Sequence, residues 1–139
     1  MHAKIQWIDK AGFEAHADSG HKIVVDGPPD SGGQNRGARP MELLLMGLGG
    51  CTSFDVVNIL TKSRQDIADV VTELTATRAT GVPQVFETIQ IHFKVTGNNL
   101  DPKKVARAVA LSAEKYCSAS SMLERGGVAI GHSHEIIQA

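Results

Sequence analysis

The sequence predicts an α+β fold in the order βββ–α–ββ–α–β. Three observations predict it. Short alternating or β-branched stretches crowd the first 26 residues. The segment VFETIQIHFKV (Val85–Val95) alternates apolar and polar residues without a break. Only two long helical segments, starting at Pro40 and Leu100, stand between the strand groups, which argues against a βαβ alternation. No internal repeat is visible, and 139 residues suit one domain, residues 1–139, around one core.

Taken in order, AKIQWI (Ala3–Ile8), FEAHAD (Phe13–Asp18) and HKIVVD (His21–Asp26) read as three short strands. The stretch Asp26–Pro40 is dense in glycine and proline and predicts a loop, mobile or laid across a partner. A helix follows from Pro40 to about Thr61, with the proline suited to its first turn. Val70–Ala79 and Val85–Val95 predict an antiparallel pair joined near Gly81–Pro83. Ile89, Ile91, Phe93 and Val95 share one face of the second strand, and Gln90, His92, Lys94 and Thr96 the other. In Leu100–Cys117, Asp101 caps a helix, Pro102 opens it, and Val105, Val109, Ser112, Ala113 and Tyr116 form the inward stripe. A short helix over Ser118–Gly127 and a strand over Val128–Gln138 close the chain.

With 42% hydrophobic and 21% charged residues, the composition is that of a globular protein. A net charge of -1 and a pI near 6.6 give no electrostatic footprint for nucleic acid or an anionic membrane. Leu43–Cys51 is too short to cross a bilayer, and Asp55, Asn58 and Lys62 follow it. The N-terminal MHAKIQWIDK lacks the apolar core of a secretory signal, so a cytoplasmic location with reduced thiols is expected. The first helix is apolar nearly all round, which predicts cover from a second copy of the chain.

That helix carries the chemical question. Gly47, Gly49 and Gly50 each cost about 1 kcal/mol relative to alanine in a helix interior, and Cys51 follows them directly. Two compatible readings offset that cost: another helix approaches the Gly47/Gly50 face, and the helix breaks at Gly49–Gly50 so that Cys51 opens a new segment, whose free N–H groups favour a thiolate. A helix terminus stabilises an anion by roughly 0.3–1 kcal/mol. Apolar Leu48 and Phe54, and Asp55 one turn on, oppose it. A cation is therefore needed as well, and Arg36 and Arg39 on the preceding loop are the candidates. Cys117, the second thiol, ends the second long helix.

At PMELLLMGLGGC, GGCTSFDVVNIL, FETIQIHFKVTG and AEKYCSASSMLERG the chain resembles the OsmC/Ohr family (osmotically induced protein C and organic hydroperoxide resistance), over essentially its whole length. The resemblance implies an intertwined bacterial homodimer in which sheets from both chains wrap two central helices. It further implies a thiol peroxidase of the stress response. Cys51 attacks an organic hydroperoxide and becomes a sulfenic acid, Cys117 condenses with it to a disulfide, and an external dithiol restores both. No metal or organic cofactor is implied. Peroxidase members carry Pro-Glu ten residues before the reactive cysteine, the glutamate positioning an arginine. Here Met41 follows Pro40 and the glutamate is Glu42, nine residues before Cys51. Nine steps of 100° place it opposite Cys51 on an unbroken helix. Glu42, Arg36 and Arg39 are the candidate activators.

Two rival readings remain. A non-catalytic relative would hold a small hydrophobic ligand at the dimer interface, with Cys51 in the wall. A zinc site would use His132 and His134 on one strand face, joined by His92 or a cysteine.

Overall fold

The computed structural model describes residues 1–139 and has the expected α+β composition. Strands β1 (Ala3–Asp9), β2 (Gly12–Ala17) and β3 (Lys22–Val25) precede helix α1 (Pro40–Lys62). Strands β4 (Asp66–Arg78) and β5 (Phe86–Asn98) then lead to α2 (Pro102–Leu111), a π turn over Ser112–Tyr116, α3 (Ser118–Arg125) and β6 (Ala129–Gln138). Contacts divide the chain into two compact units, Met1–Met46 and Gly47–Ala139.

In the first unit β1, β2 and β3 form an antiparallel sheet. The register sets Ile5 opposite Ala15 and Ile23, and Trp7 opposite Phe13 and Val25. Cross-strand partners share a face, so these six residues make one apolar surface, on which Ile5 is 60% and Trp7 64% exposed. Beside it, Ile5, Phe13, Ala15, Val25, Pro40 and Leu43 line a cleft of about 360 Å³.

The glycine-rich loop is tied down by one buried carboxylate. Asp26 accepts the Arg36 Nε–H at 2.7 Å, the Gly27 N–H at 2.8 Å and the Arg36 and Gln34 N–H groups at 3.3 Å. The guanidinium reaches on to Asp9 at 2.6 Å. A buried charge requires this degree of pairing. Arg36 holds the Asp26 carboxyl well below the usual carboxylate range, against the opposing effect of burial. The stability so gained is present above the unfolded carboxylate pKa of about 4 and is lost as pH falls below it. Asp26→Asn should therefore lower the thermal midpoint at neutral pH. The gap to the wild type should close as pH drops from about 5 to about 2, measured by circular dichroism melts across that range.

In the second unit β4 and β5 pair antiparallel, and β6 joins β5 in parallel. A parallel neighbour needs a crossover, which α2, the π turn and α3 supply. The predicted β5 alternation holds: Ile89, Ile91, Phe93 and Val95 are buried with Leu48, Val56 and Leu60 of α1 and Val105, Ala108 and Val109 of α2. The Asp101 carboxylate caps α2 by accepting the Lys103 N–H at 2.9 Å.

Two expectations are corrected. α1 is continuous from Pro40 to Lys62, so no break at Gly49–Gly50 makes Cys51 a helix N-terminus. Gly49 instead lies under β4: a Cβ there would sit 2.8 Å from Leu74 Cδ1, while Gly47 and Gly50 face open space. Tyr116 leaves the inward stripe and is 51% exposed. Each π turn inserts about one extra residue into the helical repeat, and that rotates everything after Ser112. By length and a mean hydropathy of 1.6, α1 is also long and apolar enough to span a bilayer. Yet Leu48, Val56 and Leu60 belong to the packed core, and Asp55 lies within its span.

Candidate active site

The second unit brings the two cysteines together. The Cys51 and Cys117 sulfurs and a carboxylate oxygen of Asp55 all lie within 4.8 Å of one another. Cys51 and Asp55 are one turn apart on α1 and face the same way. Cys117 comes from the middle of the crossover, between the π turn and α3, and the π turn delivers it: its N–H donates to the Ser112 carbonyl at 3.0 Å. Single π turns recur at functional sites because they shift one side chain out of helical register.

Ser112 serves the site twice. Besides that carbonyl, its buried hydroxyl lies 3.2 Å from Asp55 Oδ2 and 3.4 Å from the Thr52 carbonyl oxygen, and its one proton is shared between them. A single residue thus fixes both the carboxylate on α1 and the backbone that carries Cys117.

The two thiols are unequal. Cys51 is partly exposed, whereas Cys117 is 2% exposed. The Cys117 sulfur also caps α3, accepting the Ser120 N–H at 3.3 Å. Burial, then the adjacent Cys51 sulfur, push the Cys117 thiol up to about 12; the Ser120 N–H works the other way and the Asp55 charge adds slightly to the rise. Cys117 is thus a protonated thiol at neutral pH, and both thiols are free.

Two shallow clefts flank the pair. One, about 230 Å³, is lined by Asp55, Asn58, Ile59, Lys62 and Tyr116. The other, about 340 Å³, adjoins Cys117 and is lined by Lys115, Ser118, Ser121, Met122 and Arg125. Phe54, next to Asp55 on α1, is 71% exposed.

The other residues singled out from the sequence have partners in the first unit. Arg36 is engaged by Asp26 and Asp9. Arg39 Nη1–H donates to Asn35 Oδ1 at 2.6 Å and to the Gly37 carbonyl at 3.1 Å. Glu42 accepts the Arg39 backbone N–H at 2.9 Å, the reach-back bond of a helix cap, and pairs with the guanidinium at 3.8 Å.

The histidine set weighed for zinc does not assemble. His132 and His134 pair with Ile91 and Phe93 of β5, so they share a face that His92 does not. His92 bonds Ser133 Oγ at 2.8 Å and Glu135 Oε1 at 3.4 Å on the opposite face. Burial lowers the His132 pKa, with Glu124 opposing. The pattern of the sequence marks Asp55 as a charge opposing the thiolate and Ser112 as a core position; their bond to each other depends on the fold.

The family model described as OsmC-like protein matches residues 32–133. Protein YhfA of Escherichia coli K12 is 46% identical over 139 residues, covering 100% of both chains. A solved hypothetical protein from Aquifex aeolicus is 30% identical and superposes with a TM-score of 0.86 over 99% of this chain and 96% of its own. The organic hydroperoxide resistance protein OsmC of Legionella pneumophila shares the fold with a TM-score of 0.72 and 20% identity, over 96% of this chain and 95% of its own.

Proposed function

The chain belongs to the OsmC-like protein family, and on that premise we propose that it is a thiol peroxidase reducing organic hydroperoxides through Cys51 and Cys117. One observation carries the reading: two free thiols of unequal exposure with their sulfurs within 4.8 Å. The name of the Legionella relative supports the substrate class.

In this scheme the Cys51 thiolate attacks the terminal peroxide oxygen. The O–O bond breaks, an alcohol leaves after taking up a proton, and Cys51 becomes a sulfenic acid. The Cys117 sulfur then displaces hydroxide from that sulfenic acid, forming the disulfide and releasing water. Side-chain rotation closes the sulfurs to the roughly 2.05 Å of a disulfide. An external dithiol returns both cysteines to thiols by exchange, approaching Cys117 through its adjoining cleft. None of these steps calls on a metal or an organic cofactor.

The working unit is a homodimer forming one OsmC-like domain per chain. Support comes from the uncovered apolar face of β1–β3 and the open side of α1 at Gly47 and Gly50, surface of a kind that a monomer rarely leaves bare. Reversible thiol chemistry fits the reducing cytoplasm.

The test is direct. Reduced protein mixed with one equivalent of cumene hydroperoxide should yield a Cys51–Cys117 disulfide by peptide mass spectrometry, at the elution volume of a dimer. Unmodified thiols under those conditions would favour the second reading, a non-catalytic binder of small hydrophobic molecules. The apolar cleft between Ile5 and Leu43 is the observation on its side.

A further inference from the structure

A carboxylate beside a thiol that must ionise is a liability for the first step of such a peroxidase. Asp55 is nevertheless held there by a buried serine. Resting on the peroxidase reading, we propose that Asp55 is the proton carrier of the resolving step. It takes the proton from the Cys117 thiol as that sulfur attacks the Cys51 sulfenic acid, and delivers it to the departing hydroxide. One S–O bond breaks, one S–S bond forms, the sulfenic sulfur is reduced and the thiol oxidised, and one water leaves. Asp55 ends as it began.

The geometry supplies what this transfer needs. Asp55 lies within 4.8 Å of both sulfurs, a separation spanned by one water or by a small side-chain rotation. Such distances are often long in the resting state and shorten during reaction. The Ser112 hydroxyl secures Oδ2, and a carboxylate retains further acceptor sites. Ser112 also bonds the Cys117 backbone, so donor and acceptor are registered by one π turn. Cys117 itself is 2% exposed, which limits bulk water as the base. The other ionisable groups lining the two clefts are Lys62 and Tyr116 beside Asp55, and Lys115 and Arg125 beside Cys117. Three are cations and the fourth a phenol, so Asp55 is the carboxylate base of the site. Burial, the largest cause of the raised Cys117 pKa, persists when Cys51 is a sulfenic acid, so the thiol needs a base beside it as the bond forms.

Rapid-quench oxidation tests the proposal in wild type, Asp55→Asn, Asp55→Glu and Ser112→Ala. Cumene hydroperoxide is the oxidant, a dimedone-type reagent counts sulfenate, and mass spectrometry counts disulfide. Asp55→Asn should accumulate sulfenate and close the disulfide at least about tenfold more slowly near pH 7, the deficit shrinking as pH rises and hydroxide takes over. Asp55→Glu should recover part of the rate, and Ser112→Ala should fall between. Closure of Asp55→Asn at the wild-type rate, or a deficit equal at every pH, overturns the proposal.

A parallel arm with diamide keeps the two readings apart, because Cys117 must also lose its proton to attack a diamide adduct on Cys51. Protein inert to peroxide but slowed by Asp55→Asn with diamide overturns the peroxidase reading and sustains the proton carrier. Unslowed closure with both oxidants overturns the carrier alone.

Discussion

Replacing Cys51 with serine is expected to lower hydroperoxide turnover by about 10³-fold or more, the scale of losing a covalent nucleophile. A serine hydroxyl is not ionised at neutral pH, and its oxygen has no counterpart of the sulfenic acid through which a cysteine takes up the peroxide oxygen and is then reduced. Nor does the remaining thiol substitute. Burial holds the Cys117 thiol in its protonated form, and at 2% exposure it is closed to the peroxide. Cys51 lies inside a continuous helix and is partly exposed, so the fold should persist with a small change in stability, within about 1 kcal/mol. Peroxide consumption with a dithiol reductant measures the first quantity, and a melt measures the second. If the variant keeps a tenth or more of wild-type turnover, Cys51 is not the nucleophile.

What the sequence made legible is what depends on local pattern. Pro40 and the apolar run fixed α1 almost to the residue, and the alternation from Ile89 to Val95 identified the buried face of β5. Asp101 and Pro102 located the start of α2 because capping is decided within one turn. Less visible was anything requiring a distant partner. Strand β4 starts at Asp66, four residues earlier than its β-branched core suggests, because Asp66 and Ile67 pair with Asn98 and Gly97. The parallel placement of β6 is silent in the sequence, since period-two alternation looks the same in either orientation. The π turn has no compositional mark, and missing it put Tyr116 on the wrong side.

In the candidate site the same division holds. Both cysteines stood out by residue type and by the resemblance, yet their meeting depends on a turn that sequence did not foretell. Arg36 looked free because its partners, Asp26 and Asp9, are ten and twenty-seven residues away. Asp55 was noticed for its charge alone, because the serine that holds it comes fifty-seven residues later.

The Cys117→Ser variant should behave differently from the first: a single turnover, then a stall. Cys51 still meets the peroxide, so roughly one equivalent is consumed per chain in an initial burst. With no thiol at 117 the sulfenic acid persists, and excess peroxide drives it to the sulfinic state, which thiols do not reverse. Loss of structure does not account for the stall, because serine is itself a favourable helix cap and can accept the Ser120 N–H that the Cys117 sulfur accepts. The burst should appear in stopped-flow peroxide consumption, and the sulfinic acid as a gain of two oxygens on the Cys51 peptide. Steady turnover equal to wild type would point the other way. Cys117 would then be a cap for α3 that happens to lie near Cys51, and the external thiol would be reducing the Cys51 sulfenic acid directly.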